Sequence, residues 1–148
     1  MGTNSTLYAE DFYTWCLTTA ALIRAGKWHE IDAEAVAEEI EDMARRDKRQ
    51  LEHRIQTVVM HLLKWHYQPE AHQEHRHSWR STINVQRDRL ELLLRDNPSL
   101  RPQLPEVLAE RYPKARKHAS DETGKPLDTF PPVCPWTVEQ ILDDDFWP

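Results

Sequence analysis

Five of the eight histidines and two of the six tryptophans lie in one stretch, from His61 to Arg87. Within it, His72, His75 and His77 place three imidazoles close together, and imidazole is the commonest side-chain ligand for zinc, nickel and copper. The sequence predicts that these histidines lie in a polar loop, 68–77, from which they can surround an ion. A fixed metal site also needs groups that hold its ligands in place. Metal binding is therefore an alternative, and a solvated histidine-rich loop is the simpler interpretation.

A basic helix follows this loop and offers a second kind of chemistry. The pattern predicts a helix over 79–95, on which Arg80 and Arg87 share a face. With Trp65 and Trp79 nearby, these arginines could bind nucleic acid through phosphate contacts and base stacking. That alternative requires an exposed basic stripe on a chain whose net charge is −6. We therefore favour tryptophans in the core and arginines paired with acids.

Gln86 is the one amide in the apolar seam predicted for the same helix. A buried amide costs roughly 2–7 kcal/mol unless it is hydrogen-bonded. We expect its partner to be His61 or a backbone carbonyl. The functional alternative is that Gln86 lines a small ligand pocket.

Several classes of active site are excluded or disfavoured by composition. Three glycines cannot build the Gly-rich loops that bind phosphates. Cys16 and Cys134 match no zinc spacing and have no neighbouring base. One Glu-x-x-His, Glu74 to His77, falls short of the two that helical di-iron proteins use. The sequence assigns no catalytic residue and no cofactor, and it favours a protein that is not an enzyme.

The predicted elements are all helical. A first helix is expected over 10–25, after a flexible segment 1–6, and a second over 33–67, which contains no Gly or Pro. At about 1.5 Å per residue this second helix is about 52 Å long, whereas a domain of this size is about 38 Å across. We expect a break or bend near Asp47, where the apolar seam fails, or a homodimer that covers the protruding part.

The second and third helices are predicted to form a long antiparallel hairpin. In that register Trp65 faces Ile83, Leu62 faces Gln86, and Ile55 faces Leu93. The predicted fold is thus an all-α helical bundle built on this hairpin.

The remainder of the chain is predicted to complete a single domain, 7–148. A turn begins at Asn97, and a helix that Pro113 should kink or split ends at Gly124. The Pro-rich C-terminal segment carries too many apolar residues to be disordered. We expect an ordered arm with a short helix capped by Thr137 and Gln140.

Charge and hydropathy bound the environment and the partners. No apolar run approaches the ~18 residues of a membrane span, and two cysteines form no disulfide framework. These features predict a cytoplasmic protein without a membrane partner. The middle of the chain is mildly basic and its flanks are acidic. These opposite charges could pair with each other within the chain or contact an unidentified protein partner.

The order of several motifs resembles the bacterial family called domain of unknown function 29, over about 7–148. The motifs are YAEDFYTW, EEIEDM, HLLKWHYQPE, SWRSTINVQRDRLELLL, NPSLRP, ETGKPLDTFPPVCPW and ILDDDFWP. The resemblance implies an α-helical fold and a bacterial source, with no established activity and no catalytic residue. The loop before SWR is not systematically histidine-rich in that family, so the cluster looks peculiar to this chain. An interaction or regulatory module is the function we expect.

Overall fold

The computed structural model describes residues 2–148, with side chains from Thr6 onward. These residues form no strand, which confirms the predicted all-α class. Short 3-10 turns connect most of the α-helices, at Trp28–Glu30, Pro69–Ala71, Pro98–Gln103 and Leu127–Thr129. The α-helices are α1 (Gly2–Glu10), α2 (Phe12–Arg24), α3 (Ala33–Tyr67), α4 (His72–Asp96), α5 (Leu104–Thr123) and α6 (Val138–Leu142).

The contacts group into two compact units, one up to Arg46 and one from Asp47 to Pro148. The sequence predicts a single domain, and the boundary falls where Asp47 interrupts the apolar seam. Nevertheless, α3 runs from Ala33 to Tyr67 without interruption, so the predicted break near Asp47 does not occur. The stretch has no proline, which would remove a backbone hydrogen bond, and no glycine, which would weaken the helix, and a polar residue alone does not end a helix.

In the first unit, the helix predicted over 10–25 is present as α2, and Asp11 separates it from α1. The carboxylate of Asp11 accepts hydrogen bonds from the Thr14 N–H at 3.1 Å and the Thr14 hydroxyl at 2.7 Å, which caps the start of α2. The segment predicted to be flexible belongs to α1 from Gly2 onward, while Met1 lies outside the described residues. The ring of Tyr8, on α1, packs 4.6 Å from that of Trp15, so aromatic packing joins α1 to α2.

The core of the second unit combines α3, α4, α5 and the C-terminal arm. Phe130 and Ile141 are fully buried, which confirms an ordered arm, and Thr137 and Gln140 form the predicted capping box. Each buried aliphatic or aromatic side chain contributes roughly 1.5–3 kcal/mol. Other members of this core are Leu51, Ile55, Val58, Leu62, Ile83, Leu90, Leu94, Leu104, Val107 and Tyr112.

The hairpin of α3 and α4 is present, but its register differs from the prediction. Arg54 Nη1 donates to Gln86 Oε1 at 2.9 Å, and Lys64 Nζ lies 5.4 Å from the Trp79 ring centroid. Gln86 therefore lies beside Arg54, and the predicted pairing with Leu62 is wrong. The cause is the turn: α4 begins at His72, so the chain reverses earlier than a loop over 68–77 would allow.

The α5 helix continues through Pro113 to Thr123, so the predicted split does not occur. Proline removes one backbone donor, while the buried face of Tyr112, Ala115 and Ala119 holds both halves against the core. The helix ends as predicted at Gly124, whose φ of 70° is left-handed.

Candidate interaction surface

The first turns of α3 carry a stripe of apolar side chains, which we call the α3 seam. Ile40 and Met43, its two largest members, are 56% and 51% exposed. Intervals of three and four residues place these side chains on one face of a helix. The α3 seam consists of Ala33, Val36, Ala37, Ile40, Met43 and Ala44, of which Val36 is half-buried and the others are exposed.

The buried side of α3 in the first unit lies elsewhere on the helix. Ala35 is only 3% exposed, and five residues separate it from Ile40, which is about 140° around a helix of 3.6 residues per turn. The Asp32 carboxylate accepts a hydrogen bond from the Ala35 N–H at 3.1 Å and so caps the start of α3. The start of α3 is thus fixed, and its apolar seam faces outward.

Acidic side chains border the seam. Glu39 and Glu41 are next to Ile40 in sequence, about 100° away on either side. The segment from Ala33 to Met43 also carries Glu34, Glu38 and Asp42 and no basic residue. The surface around the seam is therefore negatively charged.

Glu39 is held in place by α1. The Tyr8 hydroxyl donates to Glu39 Oε1 at 2.6 Å, and this hydrogen bond raises the pKa of Tyr8 well above its ordinary value. On the other border, Arg45 contacts Glu41 at 2.9 Å and Asp42 at 2.5 Å. All three of those side chains are at least half exposed, and such pairs contribute about 0–1 kcal/mol. They are therefore easily exchanged for a partner's cations.

Exposed apolar residues are concentrated in the first unit. Trp28 is 66% exposed, and Tyr13 and Leu17, four residues apart on α2, are exposed as well. Among the described side chains, the large exposed apolar residues of the first unit are Phe12, Tyr13, Leu17, Ile23, Trp28, Ile40 and Met43, against Val85, Leu92, Leu127 and Val133 in the larger second unit. Contiguous exposed apolar surface marks interaction sites, and Ile40 and Met43 lie side by side on one face of α3.

The three histidines of the predicted loop do not converge. They occupy the first turns of α4, where His77 lies about 140° around the helix from His72. His72 Nε2 donates to the Trp65 carbonyl oxygen at 2.6 Å, and the His75 ring stacks on Trp79 with centroids 5.4 Å apart. Among residues whose side chains are described, no group of three His, Cys, Asp or Glu is placed to hold a metal ion.

Trp65 and Trp79 are buried on the two sides of the turn, as the sequence predicts. The His72 imidazole lies between them, 4.6 Å from the Trp65 centroid and 5.9 Å from that of Trp79. This histidine is thus part of the packing that closes the hairpin. Its role here is structural.

Arg80 and Arg87 contact the C-terminal arm. The guanidinium carbons of Arg80 and Arg87 lie 4.7 Å and 5.2 Å from the ring centroid of Trp147, which also packs against Trp65. Arg87 is only 2% exposed, so it does not join Arg80 in the exposed basic stripe that nucleic-acid binding requires. Burial lowers the pKa of Arg87, and Asp144 and Asp143 oppose that shift.

Gln86 is half-buried at the edge of the hairpin and bonds to Arg54, so neither partner expected for it is correct. The buried position belongs to the next residue, Arg87. Its spacing from Ile83 and Leu90, four and three residues, is as regular as a core pattern requires. This spacing indicates a buried position for Arg87, although arginine is rarely expected in a core.

Comparison with known protein families matches residues 7–147 to the family described as Domain of unknown function DUF29. No curated protein and no solved structure matches the chain. Of the helices in the described part of the chain, none combines the length and the hydropathy needed to cross a membrane.

Proposed function

The chain belongs to the DUF29 family, and from its own residues we propose that it is a protein-interaction module whose α3 seam binds an amphipathic helix with basic flanks. The observation that carries this proposal is the outward-facing stripe centred on Ile40 and Met43. Apolar residues at intervals of three and four form the surface that a partner helix packs against.

The small members of the seam favour a helix as the partner. Ala33, Ala37 and Ala44 project little beyond the backbone, so a partner helix can approach closely between the larger side chains of Ile40 and Met43. Side chains of the partner helix can fill the spaces above these alanines and so pack the two helices together.

The acids that border the seam favour a basic partner. With Ala33 and Ile40 at heptad position a and Val36 and Met43 at position d, Glu39 lies at position g, where ion pairs form across a helix interface, and Glu41 borders the other side of the seam. A partner with Lys or Arg at its own flanking positions gains attraction on both sides, and a second copy of the same acidic segment would meet repulsion. Anionic lipid would be repelled likewise.

A synthetic peptide tests this proposal without knowledge of the natural partner. The probe is a fluorescein-labelled helix with leucines at heptad positions a and d and lysines at e and g, titrated by fluorescence anisotropy. We expect saturable binding that weakens as salt rises. A peptide with the same leucines but glutamates at e and g should bind at least about tenfold more weakly.

Matched variants locate the binding surface. Ile40→Asp should weaken binding of the basic peptide at least about tenfold, while Val85→Asp, at an exposed valine of α4, should leave it unchanged. Light scattering tests whether a second copy of this chain occupies the α3 seam instead. Concentration-dependent dimers that Ile40→Asp dissociates would contradict the basic-helix proposal, as would equal binding of both peptides.

A further inference from the structure

The two borders of the α3 seam differ in the charge that they offer to a partner helix. Glu39, at heptad position g, lies directly beside Ile40. The e positions on the opposite border are Ala37 and Ala44, which carry no charge, and Arg46 occupies the next g position, beyond the end of the seam. Glu39 is therefore the acid that a partner meets at an ion-pairing position beside Ile40.

The acids of the opposite border already have a cation within the chain. Arg45 pairs with Glu41 at 2.9 Å and with Asp42 at 2.5 Å. These exposed pairs are weak, but a partner's cation must displace Arg45 to reach either carboxylate. The new pair then replaces an existing one, so this border gains little from a basic partner.

Glu39, in contrast, is held by a neutral donor. Its side chain is half-buried, and Oε1 accepts a hydrogen bond from the Tyr8 hydroxyl at 2.6 Å. The Tyr8 ring is fixed in turn by the buried Trp15, with ring centroids 4.6 Å apart. This hydrogen bond raises the pKa of Tyr8, so the proton stays on the phenol and the negative charge on the carboxylate. A carboxylate has about four acceptor sites, and Tyr8 leaves most of them for a partner's cation.

We propose that Tyr8 positions Glu39 to select a partner that carries its basic residues on one side of the apolar stripe. This inference rests on the proposed function. Because Tyr8 fixes the carboxylate before the partner arrives, an ion pair with Glu39 costs less side-chain freedom than one with a mobile glutamate. Lysines on the partner's other side face Ala37 and Ala44 and contribute little.

The selected side also depends on the orientation of the partner. In a parallel pair of helices, position g faces position e of the partner, whereas in an antiparallel pair it faces position g. Lysines at e alone therefore suit parallel packing on Glu39, and lysines at g alone suit antiparallel packing. Whichever arrangement binds more tightly identifies the orientation.

Fluorescence anisotropy with two labelled peptides tests the inference on the full chain. Both peptides have leucines at a and d; one carries lysines at e and glutamines at g, and the other carries the reverse. We expect the chain to bind one of them at least about fivefold more tightly. Tyr8→Phe keeps the ring that packs on Trp15 but removes the donor. It should weaken binding of the preferred peptide at least about threefold and leave the other peptide unchanged.

Further variants assign the preference to this pair of residues. Glu39→Gln should abolish the preference, and Tyr8→Phe should have no further effect on peptide binding in a chain that already carries Glu39→Gln. An effect that persisted there would mean that Tyr8 acts through packing alone and would overturn the inference. Tyr13→Phe is the matched control, because Tyr13 is a 74% exposed tyrosine of α2. It should bind both peptides as the parent does.

The outcomes separate this inference from the proposed function. If the peptide with lysines at both e and g does not bind, the proposed function fails and this inference fails with it. If that peptide binds but the two one-sided peptides bind equally, only this inference is overturned. The same holds if Tyr8→Phe binds the preferred peptide as tightly as the parent does.

Discussion

Arg87 donates a hydrogen bond through Nε to the carbonyl oxygen of Ile141, over 2.8 Å, and so joins the middle of α4 to the end of α6. The same guanidinium donates to the carbonyl oxygens of Gln140 and Phe146. One buried cation thereby fixes the C-terminal arm against the helical hairpin, through backbone acceptors rather than a carboxylate.

Replacing Arg87 by Met should therefore destabilise the second unit. Methionine fills much of the space but leaves three carbonyl oxygens of the arm without their donor. We expect the free energy of unfolding to fall by about 3 kcal/mol, measured by urea denaturation monitored through tryptophan fluorescence. Arg95→Met is the control and should change it by less than about 0.5 kcal/mol. A loss in Arg87→Met no larger than in this control would contradict the role assigned to Arg87.

The sequence predicts the helices and caps of this region more accurately than the register in which α3 and α4 pack. The hairpin, the ordered arm, the capping box at Thr137 and the cap at Gly124 all follow from local signals such as hydrophobic spacing, capping residues and glycine. The position of the turn does not, because a histidine-rich segment reads equally well as a loop or as the first turns of a helix. The tertiary contacts of His72 with Trp65 and Trp79 favour the helix, and the local sequence does not reveal them.

The candidate sites depended even more on tertiary information. The spacing of Ile40 and Met43 is that of an apolar helix face, but spacing alone does not indicate that this face is left uncovered. The sequence favours pairing of Arg87 with acids, whereas its guanidinium bonds to backbone carbonyl oxygens, and its spacing from Ile83 and Leu90 is that of a core residue. Whether a long charged side chain is buried depends on acceptors that lie more than fifty positions away, here Gln140, Ile141 and Phe146.

His61 should make stability depend on pH. Burial lowers its pKa below the ordinary value, although the hydrogen bond from Nδ1 to the Thr57 carbonyl oxygen opposes that shift. Lys64 and Glu122 act on it with opposite signs. Because the unfolded chain takes up this proton at higher pH than the folded chain does, the contribution is complete above about pH 6.5 and is lost as the pH falls through the folded-state pKa.

The variant His61→Gln isolates this effect. Glutamine can still donate to the Thr57 carbonyl oxygen but does not titrate. Urea denaturation at about pH 7 and about pH 5 should show a larger loss of stability in the parent protein than in His61→Gln. Equal losses in the two proteins would mean that the imidazole is protonated as easily in the fold as in the unfolded chain.

Gly124 ends α5 with a φ of 70°, and a Cβ added there meets no atom within 4 Å. The cost of Gly124→Ala should therefore come from the backbone alone, about 1 kcal/mol of unfolding free energy. Gly124→Asn should cost less, because asparagine tolerates the left-handed region better. Thermal unfolding of the three proteins checks this order. Equal stability of Gly124→Ala and the parent would contradict a left-handed cap.

The most direct measurement of the proposed function is the oxidation rate of Met43 in the presence of the basic helical peptide. Met43 is 51% exposed, and a helix packed on the α3 seam would cover its sulfur. With saturating peptide, peroxide oxidation followed by mass spectrometry should slow at least about fivefold at Met43 and remain unchanged at Met60, in the second unit. Oxidation of Met43 at an unchanged rate under saturating peptide would contradict the assignment of the α3 seam as the binding surface.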